Sequence, residues 1–109
     1  MDYTKSEKKV AQELFKLARQ RDYKRLQTDI KQYKCDTPEE IWSLRDFLNK
    51  KAKEFDNKYD YRYSVLDEIF ISFILEELLY VHELKGLSKE RQEYLINRTK
   101  KQVSNTNDD

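Results

Sequence analysis

The sequence predicts an all-α protein, and three observations carry that prediction. The chain has 109 residues with one Gly, Gly86, and one Pro, Pro38. Turn-dense β folds need many more of both. Charged residues make up 39% of it and its mean hydropathy is −1.04, yet aromatics reach 13%. Disordered chains share the charge but lack the aromatics, so this is a folded, highly charged chain. The one long apolar stretch, Ser64 to Leu84, is apolar all the way round when wound as a helix. Leu66, Ile69, Phe73 and Tyr80 cover one side, Phe70, Ile74 and Val81 a second, and Ile71, Leu75 and Leu78 a third. The central IFISFIL could be a strand, but apolar character persists for ~20 positions and strands usually span about 4–8, which favours a helix. Glu76 and Glu77 sit in mid-segment and exclude a membrane span.

A helix apolar on every side must be covered on every side. A body this small buries only ~60–65% of its unfolded surface as a monomer. A second copy is therefore expected to supply the missing cover. The expected architecture is an antiparallel helical homodimer with a long first helix, a second helix and a helical head. Residues 1–101 are expected to form one domain, and residues 102–109 a polar, disordered tail.

Residues 1–5 are expected to fray. From Ser6 to about Lys34 the pattern is helical. Val10, Leu14 and Leu17 form a stripe widened by Ala11, Phe15 and Ala18, and Tyr23, Leu26, Ile30 and Tyr33 continue it. Such a helix is ~40 Å long and reads as a stalk. After a break at Cys35-Asp36, Thr37-Pro38-Glu39-Glu40 is a helix start, with Thr37 as cap, Pro38 in the first turn and Glu40 expected to complete a capping box. This second helix is predicted to end near Phe55–Asn57, with Asn57 able to turn left-handed. Ile41, Leu44, Leu48, Ala52, Phe55 and Tyr59 form its predicted buried stripe. Trp42, Arg45, Asp46, Asn49, Lys53 and Asp56 form the opposite face, where Trp42 is the anomaly. The apolar helix is predicted to end at Gly86 as a left-handed cap. Ser88 then caps a last helix, Lys89 to about Lys101, with Leu87, Tyr94 and Leu95 as apolar contacts.

Charge is unevenly placed. Residues 1–34 carry ten Lys/Arg against five Asp/Glu, while residues 65–84 carry five acids and no Lys/Arg. The two segments are complementary, a packing hint rather than an energy, since exposed pairs contribute ~0–1 kcal/mol each. Lys8, Lys9, Lys16, Arg19, Arg21, Lys24 and Arg25 lie around the first helix and are diluted by acids, which argues against nucleic acid. Cys35 and His82 are each alone, so no disulfide framework, metal set or nucleophile pair is suggested. No cofactor and no enzymatic activity are expected. With no signal peptide or lipidation motif, the cytoplasm is the expected compartment. Asp46 and Lys50 are spaced for an ion pair one turn apart, worth ~0.3–0.5 kcal/mol.

The segment from Trp42 to Ser64 reads W-S-L-R-D-F-L-N-K-K-A-K-E-F-D-N-K-Y-D-Y-R-Y-S. It resembles the fluorescence recovery protein family of cyanobacteria, whose pattern is W-x-L-x-D-F-L, a Lys, then E-x-D-x-K-Y-D-x-R-x-S-V. Trp42, Leu44, Asp46, Phe47, Leu48, Lys51, Glu54, Asp56, Lys58, Tyr59, Asp60, Arg62, Ser64 and Val65 match it. The register continues through Phe70, Glu76, Leu78, Glu83 and Leu84. The resemblance covers residues 40–87 and implies an all-α dimer. It implies binding to the C-terminal domain of the light-activated orange carotenoid protein, faster return of that protein from red to orange, and no membrane partner. It also implies a working surface at Trp42 and Asp46, with Arg45 where the family has His and Ala52 where the family has Arg. Asn49 and Lys53 lie beside them on the same face and complete the candidate partner-binding set.

Overall fold

The structure, a computed structural model, describes residues 2–106, with the side chains of residues 105 and 106 left aside. Met1 and the last three residues of the expected tail lie outside the described residues. Four α-helices follow one another: α1 (Lys5–Lys31), α2 (Pro38–Lys58), α3 (Leu66–Leu75) and α4 (Lys89–Thr106). Short 3₁₀ turns at Tyr63–Val65 and Val81–Gly86 flank α3. The described residues contain no strand. They divide into two compact units, one formed by residues 2–20 with 62–106, the other by residues 21–61.

The first unit holds the main core. Ala11, Leu14, Phe15 and Ala18 of α1 are buried, as are Leu66, Phe70, Ile71 and Phe73 of α3 and Leu95 of α4. Phe73 meets Phe15 at 6.0 Å and Phe70 at 6.3 Å between ring centroids. The chain start is not frayed. Tyr3 is buried, and Thr4 and Glu7 form a reciprocal capping box, each backbone N–H donating to the other's side chain at 3.2 Å.

The apolar stretch is not one helix. It breaks after Leu75, where Glu77 turns left-handed at φ 60°. Leu78 N–H then donates to Phe73 O at 2.8 Å and Glu77 N–H to Ile74 O at 3.1 Å, the paired closure of a Schellman ending. The reversal drops Leu78 and Leu79 into the core beside the fully buried Phe73. Folding back, not a second copy, therefore covers much of this segment. Gly86 is not left-handed either, since no glycine has positive φ. Its requirement is steric: a Cβ there would stand 2.9 Å from Val10 Cγ1. Ser88 caps α4 as expected, accepting from Arg91 N–H at 3.2 Å, and α4 runs on past Lys101 to Thr106.

The second unit is a helical hairpin made by the rest of α1 and α2. Thr37 Oγ1 accepts from Glu40 N–H at 3.2 Å, with Pro38 at the helix start as expected. Tyr23 lies edge-on to Phe55 at 4.8 Å and Tyr33 packs on Phe47 at 4.9 Å. Asp22 Oδ2 accepts from Lys58 Nζ at 3.0 Å and from Tyr59 OH at 2.6 Å. Asn57 keeps negative φ, so α2 ends without the expected left-handed turn. The predicted buried stripe is only half realised. Phe55 is buried and Leu44 and Tyr59 are half-buried, but Ile41, Leu48 and Ala52 are exposed. One neighbouring helix covers one side of α2, and the aromatic side wins it.

Candidate functional site

At 100° per residue, Trp42, Arg45, Asp46, Asn49, Ala52 and Lys53 share an arc of about 120° on α2. All six are exposed, Trp42 at 55%. A straight helix starting at Pro38 fixes this register, and the Phe47 and Phe55 contacts turn the opposite side toward α1. Arg45 links the centre of the face. Its Nε and an NH2 hydrogen both go to Asp46 Oδ1, at 3.1 and 3.0 Å. Its guanidinium carbon also lies 5.2 Å from the Trp42 ring centroid, within cation–π range. Asp46 thus pairs with Arg45, its chain neighbour, where helix spacing alone suggested Lys50. The face offers an exposed indole, a forked cation and a carboxylate. It has the makings of a recognition surface: an aromatic anchor with polar groups that fix orientation.

Ile41 and Leu48, exposed at 43% and 38%, lie on the next strip of α2, bordering Ala52 and Arg45. Sequence reasoning assigned them to the core. Their exposure follows from which side of α2 the aromatic residues claim.

The other polar cluster missed in the sequence is buried in the first unit. Arg91 is 0% exposed. It donates to Glu7 Oε2 at 3.0 Å and to both Asp67 oxygens at 2.8 and 3.0 Å, and its guanidinium carbon sits 3.5 Å from the Tyr3 ring centroid. Tyr3 OH donates to Asp67 Oδ1 at 2.5 Å, and Ser88 N–H donates to Glu7 at 3.1 Å. Burial works against the Glu7 charge, but the Ser88 and Thr4 N–H groups and Arg91 outweigh it and hold the carboxyl down at about 2. Burial and the bond to Asp67 push the Tyr3 phenol well above its usual range. The Thr4–Glu7 capping-box spacing was the one sequence signal for this cluster. Every group in it is engaged, which marks it as structural.

Among the described residues no group of three or more His, Cys, Asp and Glu side chains could hold a metal ion. Cys35 is exposed, and His82 stacks on Tyr80 with ring centroids 6.0 Å apart. No described helix is long and apolar enough to cross a membrane.

The family model described as "Photoprotection regulator fluorescence recovery protein" matches residues 3–104. The chain belongs to the fluorescence recovery protein family. It is 32% identical over 92 residues to the fluorescence recovery protein of Synechocystis sp., covering 83% of this chain and 84% of that one. The structure of the Fremyella diplosiphon fluorescence recovery protein matches with a TM-score of 0.81 at 34% identity, over 92% of this chain and 99% of the other. The Synechocystis structure matches with a TM-score of 0.80 at 30% identity, over 87% and 95%. Fluorescence recovery proteins are photoprotection regulators, and this chain is a regulator of that family with its all-α fold. The Trp42 face lies inside the matched region.

Proposed function

We propose that this chain is a non-enzymatic, cytoplasmic binding protein that captures the C-terminal domain of a photoactivated orange carotenoid protein and speeds its return from red to orange. The observation that carries this reading is the exposed Trp42–Arg45–Asp46 constellation on α2 of a fluorescence recovery protein-like chain. No bond need be made or broken. A partner that binds the closing state more tightly than the open one lowers the barrier between them. Trp42 serves as the anchor, Asp46 as the acceptor, and Arg45, Asn49 and Lys53 as donors around them. The working form is a homodimer, with the Ile41–Leu48–Ala52 strip as the apolar surface that the second copy covers.

A second reading keeps the fold and changes the partner, and Ala52 favours it. An Arg at this position would project five donors in a fixed fork, and Ala projects none. A charge-assisted hydrogen bond is worth ~1.5–3 kcal/mol. If it forms only during closure, its loss slows recovery by roughly ten- to a hundredfold. The test is to illuminate an orange carotenoid protein, add this chain in the dark and follow the colour. Slow recovery with the wild type and faster recovery with Ala52→Arg supports the first reading. Absence of binding by both supports the second.

A further inference from the structure

We infer that the first unit carries a separate docking surface for an acidic protein face, built from the basic stripe of α1 and the Tyr63–Val65 turn. This inference does not rest on the Trp42 reading. Lys5, Lys8, Lys9, Lys16 and Arg19, with Gln12 among them, fall within an arc of about 100° on α1. All are exposed. Ala11, Leu14 and Ala18 are buried on the other side, with Phe15 buried at the border beside Lys8, and they fix the stripe outward. The arc contains no carboxylate; Glu13 stands at its edge, 3.9 Å from Lys16. Over the whole helix the cations look scattered, because Arg21, Lys24 and Arg25 lie on other sides. Within the part of α1 that belongs to the first unit they line up over roughly 20 Å.

An apolar element adjoins the stripe. Tyr63 is 41% exposed and Val65 44%, and Lys8 Nζ stands 4.9 Å from the Tyr63 ring centroid. The ring is braced from behind by Tyr3 at 6.3 Å. An aromatic residue beside a charged rim is the anatomy of a protein interface. Four of the five cations are Lys, compact point charges without the fork that suits phosphate. A membrane-surface helix buries its apolar face in lipid, and here that face is already in the core. An acidic protein face fits best, drawn in by long-range attraction and held by Tyr63.

Binding of the full chain to immobilised poly-L-glutamate tests this, with an oligo-dT strand and phosphatidylglycerol vesicles as rival probes. Wild type should hold poly-L-glutamate in a salt-sensitive way and prefer it to both rivals. The triple reversal Lys5→Glu, Lys9→Glu, Lys16→Glu should weaken capture by roughly tenfold or more. The equal reversal Lys24→Glu, Lys31→Glu, Lys34→Glu, on the last part of α1 and the loop after it, should cost far less. Tyr63→Ser should weaken capture several-fold at unchanged charge. If the reversal disturbs the fold by circular dichroism, the triple Lys→Gln variant replaces it. No capture by wild type, equal effects of the two reversals, no effect of Tyr63→Ser, or preference for oligo-dT or vesicles would each overturn the proposal.

Discussion

Arg91 and Glu7, 84 residues apart in the chain, meet in the core of the first unit at 3.0 Å. The contact ties the start of α4 to the first turn of α1, and Asp67 adds the start of α3. One guanidinium therefore joins three helix beginnings, where the N-terminal ends of the helix dipoles already favour the carboxylates.

Removing one partner of a buried ion pair leaves the other charge uncompensated, at a cost of about 3–5 kcal/mol. Arg91→Met keeps the bulk and strands Glu7 and Asp67 together. Its urea midpoint should fall sharply, approaching the whole stability of a small domain. Glu7→Gln, which leaves Asp67 to pair with Arg91, should lose less. Equal midpoints for Arg91→Met and wild type would show that the cluster contributes nothing net.

The same cluster sets an acid limit. The Glu7 carboxyl sits at about 2 in the folded chain against an ordinary 4.5. A depressed carboxyl stabilises above its unfolded value and loses that contribution as pH falls through the folded one. Stability should therefore drop between about pH 4.5 and 2, by about 3 kcal/mol from this residue. Glu7→Gln should flatten that part of an acid titration followed by circular dichroism. Tyr3 acts at the other end: its phenol is raised above the ordinary 10.0, so its contribution is full below that pH and fades as pH climbs further.

Glu77 holds the left-handed position that ends α3. A side chain there costs ~1 kcal/mol relative to glycine. Glu77→Gly should raise the stability by about 0.5–1 kcal/mol and with it the thermal midpoint, and Glu77→Val should lower both by at least as much. Thermal melts of the two variants on opposite sides of wild type would establish that the reversal is strained.

Local signals in the sequence were sound where the structure depends on local chemistry. Thr37-Pro38 and Ser88 mark helix starts because capping involves residues only a turn apart. Leu14, Phe15 and Ala18 face the core because helical period decides it. The break at Glu77 was illegible, since neither Gly nor Pro announces it; it is driven by the burial of Leu78 and Leu79 elsewhere in the unit. Arg91 looked like any surface cation of a short helix, because its partners are 24 and 84 residues away. The exposed face of Trp42 followed from the helical wheel. The exposure of Ile41 and Leu48 did not, because the wheel cannot tell which of two apolar sides finds a neighbour.

That last ambiguity gives the sharpest pair of variants. Trp42 and Leu48 are both exposed on α2, Trp42 on the side away from α1 and Leu48 on the flank next to the α1-facing side. If Leu48 and Ile41 lie against a second copy, Leu48→Glu places a charge in an apolar contact, and desolvating it costs several kcal/mol. The variant should elute as a monomer while keeping its helicity, with light scattering reporting half the wild-type mass. Trp42→Ala removes an exposed indole and no core atom, so helicity and mass should both stay. Its loss should appear only in partner capture, as the ~2 kcal/mol or more that a hot-spot aromatic commonly contributes. The ring stack with Arg45 goes with it, and Asp46 keeps its ion pair. A wild-type chain that is monomeric at micromolar concentration would remove the dimer strip. A Trp42→Ala chain that unfolds would instead place the indole in the core. The two variants together decide whether recognition and self-association use one strip of α2 or two.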